Sequence, residues 1–158
     1  MGVPSGHFYE VLVSYDRTGQ SGRFVALVDS GVSRAVFPRA VERFGVQAGG
    51  HETSQSNFGV HQIACGAVRV KLLRKAYPLG LDPDTGAEVY RFESLSSEVA
   101  AQVKHSNPLV ISKLEGDVAL IGFNLMAAWG LQADPFLGLV VCNRTVASVP
   151  LQSVFVDE

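Results

Sequence analysis

Asp29-Ser30-Gly31 is the stretch of this 158-residue chain whose residue types best suit chemistry. The acid directly follows Ala26-Leu27-Val28, in which no polar residue alternates with the apolar ones, so that run reads as a fully buried strand. A carboxylate emerging at the end of a buried strand is held by backbone rather than by a waving loop, the placement that acid/base work needs. Ser30 can brace the turn by a local hydrogen bond, and Gly31 permits a positive φ and a close backbone approach that a Cβ would block. The same triplet is also a common plain turn, so it gains meaning only from a second element.

Other groups capable of chemistry are scattered. Histidines stand at positions 7, 51, 61 and 105, but no Gly-x-Ser-x-Gly nucleophile elbow accompanies them, so a serine mechanism has little support. His61 and Cys65 are four residues apart, which on a strand puts both on one face. Without a second cluster they read as a surface histidine and a packed cysteine rather than a metal pair. Asp82, Asp84 and Glu93 occupy the first, third and twelfth places of a calcium-type loop, with Glu88 between them. The sixth place, which needs glycine, is Ala87, and Gly86 comes one residue early, so a hairpin turn is the better reading. Trp129, at helical spacing from Leu125 and Met126, reads as core rather than as a ligand platform. Asn143-Arg144-Thr145 has the form of a glycosylation acceptor, which carries weight only in a secreted chain. No metal site and no cofactor are expected.

The elements that must position Asp29 are short. With 47% apolar and 18% charged residues, the chain can close one hydrophobic core and is too short for two ordinary domains, so residues 1–158 read as one domain. Sixteen Gly and seven Pro punctuate short apolar runs, with no tandem repeat, a rhythm that is mostly β. Residues 8–15 and 23–28 form a hairpin across a polar connection, 16–22. Pro38 and Gly45 bracket one or two helical turns. The glycine-bearing polar stretch 49–59 leads into a long β-like run over 60–73, together a projecting hairpin. Residues 77–93 make another hairpin around 82–86, and Ser96 or Ser97 caps a brief helix running towards Lys104. Residues 118–121 read as a buried strand broken by Gly122, and 124–129 as a short helix stopped by Gly130. Strands at 131–134 and 139–141 follow around 135–138, and the last apolar segment, 151–156, could pair with something outside this fold.

This order of pieces resembles the retropepsin-like (retroviral-type) aspartic proteases. Matching residues are Ala26-Leu27-Val28-Asp29-Ser30-Gly31 for the strand and the Asp-Thr/Ser-Gly triplet, then the turns at 38–45 and a flap within 49–70. Leu120-Ile121-Gly122 matches the hydrophobic-hydrophobic-Gly strand that crosses behind the triplet, with the helix 124–129 and Asp134 in a turn beyond it. The resemblance covers most of the chain and leaves residues 77–114 as an insertion. It departs at Val32, where the family usually has Ala, at Asn124, often Asp, and in the length of the flap.

The resemblance implies a mostly β, single-domain, retropepsin-like closed β-barrel with one or two short helices, working as a homodimer. It implies Asp29 as the catalytic group, Ser30, Gly31, Leu120, Ile121 and Gly122 as its support, and Asn57, Phe58, Gly59 and Val60 as substrate-binding flap residues. The family's mechanism uses two aspartates sharing a proton, and this chain has one triplet, so the second comes from an identical subunit. Two carboxylates about 3 Å apart cannot both ionise cheaply, so such a pair retains one proton and titrates as a unit. The implied activity is an aspartic endopeptidase that hydrolyses peptide bonds with an activated water, its partners being itself and a peptide or protein substrate. Residues 151–156 and the start of the chain would interleave with the twin and bury an apolar edge. A competing reading keeps the same fold as a non-catalytic dimerisation or peptide-binding module, favoured by the bulk of Val32. Another makes the chain half of a mixed dimer or a domain of a larger protein.

Thirteen Lys and Arg against fifteen Asp and Glu give a net charge of −2 without a basic block, so the electrostatic footprint of a nucleic-acid binder is missing. The longest apolar stretch, 118–141, is interrupted by Asn124, Gln132, Asp134 and Pro135, and no membrane span is expected. The first residues carry neither the positive head nor the apolar run of a secretory signal, and Cys65 and Cys142 lie far apart. The expectation is therefore reduced thiols in a cytoplasmic protein. A domain trimmed from a longer, anchored protein would read the same way.

Overall fold

A computed structural model of the chain describes residues 6–44, 50–56, 59–103, 107–112 and 116–142. Its first strand, β1 (Phe8–Tyr15), alternates so that Tyr9, Val11, Val13 and Tyr15 share one buried face. β2 (Gln20–Val28) returns antiparallel, with Phe8 opposite Leu27 and Tyr15 opposite Gln20, so the expected first hairpin is present. The expected turns after Pro38 are a 3-10 helix, Arg39–Phe44. It is pinned to β2 by rings: Phe24 meets Phe37 edge-on at 5.9 Å and Phe44 at 6.2 Å.

β3 (Gly50–Ser56) and β4 (Gly59–Leu81) make the projecting hairpin. The expected interruption of β4 after residue 73 is absent. Arg74, Lys75 and Ala76 continue the strand because they pair with Glu10, Tyr9 and Phe8 of β1. The first part of β4 pairs with β3 and with β6 (Asn107–Ser112), the second with β1 and with β5 (Glu88–Glu93). β6 was not foreseen, since Pro108 argues against a central strand; among the described residues β6 pairs with β4 alone, and an edge tolerates proline. The hairpin at 82–86 is held by Asp82 Oδ1, which accepts from the amides of Asp84 (2.7 Å) and Thr85 (3.2 Å). Ser96 caps α1 (Ser97–Gln102) by accepting from Val99 N at 3.3 Å. Through β5 and β6 the described part of 77–114 is woven into the sheet of β4.

β7 (Val118–Ile121) lies parallel to β2, and the sheet order is β3-β4-β1-β2-β7. The closed barrel of the sequence expectation is not found among the described strands. The outer edge of β7 is taken by an isolated antiparallel bridge from Val36 to Leu120, where the path ends instead of joining β3. α2 (Phe123–Trp129) follows, ended by Gly130 in the left-handed conformation at φ 71°. β8 (Leu131–Asp134) and β9 (Gly138–Val141) form a separate two-stranded sheet. The architecture is mostly β, and residues of β1, β2, β4, both helices, β7, β8 and β9 share one hydrophobic core that includes Trp129. No helix among the described residues is long and apolar enough to cross a membrane. The expected terminal strand at 151–156 lies outside the described residues.

Among the described residues, one charged side chain, Glu10, is buried in this sheet. Between Glu10–Arg74 and Val11–Leu72 the register slips, leaving Leu73 unpaired and bringing Arg74 opposite Glu10. Arg74 reaches Glu10 Oε1 with Nη2 at 2.9 Å and Nε at 3.0 Å, while its guanidinium lies 4.1 Å from the Phe92 ring centroid. Arg74→Ala leaves that carboxylate with only the more distant Arg23, whose Nη1 is 4.0 Å from Glu10 Oε1. It is expected to cost about 1–3 kcal/mol in urea denaturation, and Arg74→Ala combined with Glu10→Gln should recover part of the loss.

Asp134 Oδ1 accepts from the amides of Phe136 (2.8 Å) and Leu137 (2.9 Å), the Leu137 bond first and the Phe136 bond next holding this carboxyl below its ordinary value. A lowered folded-state value contributes stability above the unfolded value and loses it as pH falls through the folded one. Asp134→Ala should therefore lower the urea midpoint at neutral pH, and the gap from the native chain should close as pH drops below about 4.

Candidate active site

The parallel pairing of β2 with β7 ends at Val28 opposite Ile121, and the next amide, Asp29 N, donates to Ile121 O at 3.1 Å. Asp29 is thus set by the sheet at its very end, half-buried, while Ser30 and Gly31 are exposed. The turn closes on itself: Val32 N donates to Asp29 O at 3.2 Å, and Gly31 N donates to Asp29 Oδ1 at 3.0 Å. Asp29 Oδ2 has no hydrogen-bond partner among the described residues. Gly31 does not adopt the positive φ that the sequence left open to it. Close approach is what it provides, since a Cβ there would stand 3.3 Å from Asp29 Oδ1.

The stretch after the triplet crosses the end of β7 and the start of α2. Val36 and Leu120 exchange backbone hydrogen bonds of 3.0 and 2.8 Å, Phe123 N donates to Val32 O at 2.8 Å, and Asn124 N donates to Ser33 O at 2.9 Å. The side chain of Asn124 adds one more, its Oδ1 accepting from Ala35 N at 2.8 Å. Gly122 lies buried under this crossing. A Cβ on it would fall 2.5 and 2.6 Å from the carbonyl carbon and oxygen of Arg34 and 2.9 Å from Val32 O. Asp29, Ser30, Gly31, Leu120, Ile121 and Gly122 are therefore brought together. Asn124, noted in the sequence only as a departure from Asp, belongs with them. No local signal marked this role, because the Ala35 amide that it accepts from comes from a distant part of the sequence.

The flap residues are not gathered in the same way. Gly59 pairs with Ser56 and Val60 with Gln55 at the head of the β3–β4 hairpin, while Asn57 and Phe58 lie outside the described residues. In the sheet β1 separates β4 from β2, so no strand pairing brings this hairpin to Asp29. Among the described residues no group of three or more His, Cys, Asp or Glu could hold a metal ion. A groove of 450 Å³ opens between β1, β4, α1 and β9, lined by Tyr9, Lys75, Tyr77, Glu93, Val99 and Leu139 among others; none of residues 29–31 is among its lining. Burial pushes the Tyr9 phenol above its usual value, against the opposing effect of the Leu139 amide that donates to it at 2.8 Å.

No protein-family model matches the chain, and no curated protein matches it. The site consequently stands on its residues and their geometry. Gly122→Ala forces backbone apart at the crossing of residues 32–34 and is expected to cost about 1–3 kcal/mol in equilibrium denaturation.

Proposed function

We propose that the chain is an aspartic endopeptidase of retropepsin-like design, its site completed when Asp29 of one copy meets Asp29 of a second across a two-fold axis. The observation that carries this reading is the state of the carboxylate: one oxygen is held by the Gly31 amide, the other is unbonded among the described residues, and the backbone on either side is fixed. Such a group is pre-positioned for proton transfer with little reorganisation. A single Asp29 has no acid partner of its own in the triplet, which is why a second copy is part of the proposal.

In the pair, one proton is shared between two carboxyls. The ionised member takes a proton from a bound water as that water attacks the scissile carbonyl carbon, while the protonated member donates to the carbonyl oxygen. The product of this step is a tetrahedral diol with no covalent bond to the protein. Return of a proton to the amide nitrogen then breaks the C–N bond and releases an amine and a carboxylic acid. Closure of the β3–β4 hairpin over an extended peptide, by strand-like pairing, would exclude water from the reacting bond.

Val32 sustains a second reading, a peptide-binding or dimerisation module without hydrolysis. Its amide is bonded to Asp29 O and its carbonyl to Phe123 N, so its backbone is held on both sides while it carries a larger side chain beside the carboxylate. A statine-type peptide separates the two, because only a poised acid pair holds the inhibitor's hydroxyl tightly.

Digestion of a peptide library from acidic to neutral pH is the direct test. Hydrolysis should rise below neutral pH and fall by at least about a hundredfold in Asp29→Asn, with light scattering reporting a dimer. Undiminished cleavage by Asp29→Asn would reject the assignment.

A further inference from the structure

The hydrogen bonds that residues 29, 32, 33 and 36 make to β7 and α2 are backbone to backbone, with an exception at residue 35. That exception is Asn124 Oδ1 accepting from Ala35 N at 2.8 Å. Backbone bonds form with almost any side chain, so this is a point at which residue identity controls how the loop sits.

We infer that Asn124 is a positioning residue for Asp29: by anchoring Ala35 at the far end of the loop it keeps the Gly31 amide aimed at Asp29 Oδ1. The inference rests on the reading of Asp29 as the reacting carboxylate. The geometry makes the link short. Asp29 N is fixed on Ile121 O at one end of an eight-residue span, Val36 is fixed on Leu120 at the other, and Ala35 is its immediate neighbour. In between, Val32 and Ser33 accept from the first two amides of α2, so Asn124 grips the loop twice, through its own N–H and through its side chain. Loss of the side-chain bond leaves a partly buried Ala35 amide unsatisfied, and the loop can recover it only by moving. Movement of 32–35 is transmitted to Gly31, because Val32 N is bonded to Asp29 O within the same tight turn.

What Asn124 supplies is an acceptor at fixed reach, which predicts how substitutions sort. Asn124→Asp keeps the acceptor and should keep the positioning; Asn124→Ala removes it. Asn124→Leu, which retains volume without an acceptor, gives the same contrast should the alanine variant not fold. The readouts are amide hydrogen exchange at Gly31 and Ala35, together with kcat and KM for a peptide that the native chain cleaves. In Asn124→Ala, exchange at both amides should quicken by about tenfold, with kcat falling by a similar factor and KM nearly unchanged. In Asn124→Asp, exchange and kcat should stay within about threefold of native.

Unchanged Gly31 protection in Asn124→Ala, with only Ala35 exposed, would overturn the inference, as would an Asn124→Asp variant as impaired as Asn124→Ala. Should the native chain cleave nothing while the exchange pattern appears as expected, the positioning stands and the proteolytic reading falls, so the two failures are distinguishable.

Discussion

A carboxylate at a strand end is placed only as well as the chain around it, and here the governing constraint is the close crossing of residues 32–36 over Gly122. Two segments about ninety residues apart in sequence approach so tightly that no side chain fits between them. The approach is supported by backbone donors and acceptors of the two segments that pair with each other, and by the Asn124 side chain, which takes the Ala35 amide. The parallel pairing of β2 and β7, the turn at 29–31 and the start of α2 each contribute one side of that crossing, and none of them alone would hold Asp29 in place.

The rest of the sheet supplies stiffness. β1 sits between β2 and β4, and its buried face of Tyr9, Val11, Val13 and Tyr15 is continuous with the core beneath α2 and β7. On its other face the Glu10–Arg74 pair fills a place where an apolar contact would serve equally well energetically. The pair sits at the register shift: with Leu73 left out of the pairing, Arg74 stands opposite Glu10. A slip by one residue would exchange the core and outer faces of β4 beyond this point.

Much of this was legible in the residues. The first hairpin, the turn at 82–86, a serine cap at Ser96 or Ser97, the strand ending at Gly122 and the Gly130 stop all declared themselves through local chemistry, because each depends on residues within a few positions of one another. The partners of β4 were not legible. Its passage through residues 74–76 and its pairing with β6 depend on strands distant in sequence, and Pro108 points locally away from a strand. Asp29 was visible as a strand-end acid, and Leu120-Ile121-Gly122 as a strand that stops at a glycine. That Gly31 serves close approach rather than a left-handed turn, and that Asn124 reaches across to Ala35, are facts of three-dimensional proximity with no counterpart in spacing. The closed barrel expected from the overall order failed for a similar reason, since the outer edge of β7 meets a single bridging residue in place of a strand.

The uninterrupted run of β4 has a mechanical meaning. Twenty-three residues of one strand carry the hairpin at one end and the pairing with β1 and β5 at the other, without a loop between them. A lid mounted on a loop swings about a joint, but this hairpin is the end of a beam clamped in the core. Displacement of β3 and the head of β4 would be stored as bending and twist along the strand, so any such motion would follow an elastic restoring force rather than a choice between two latched positions.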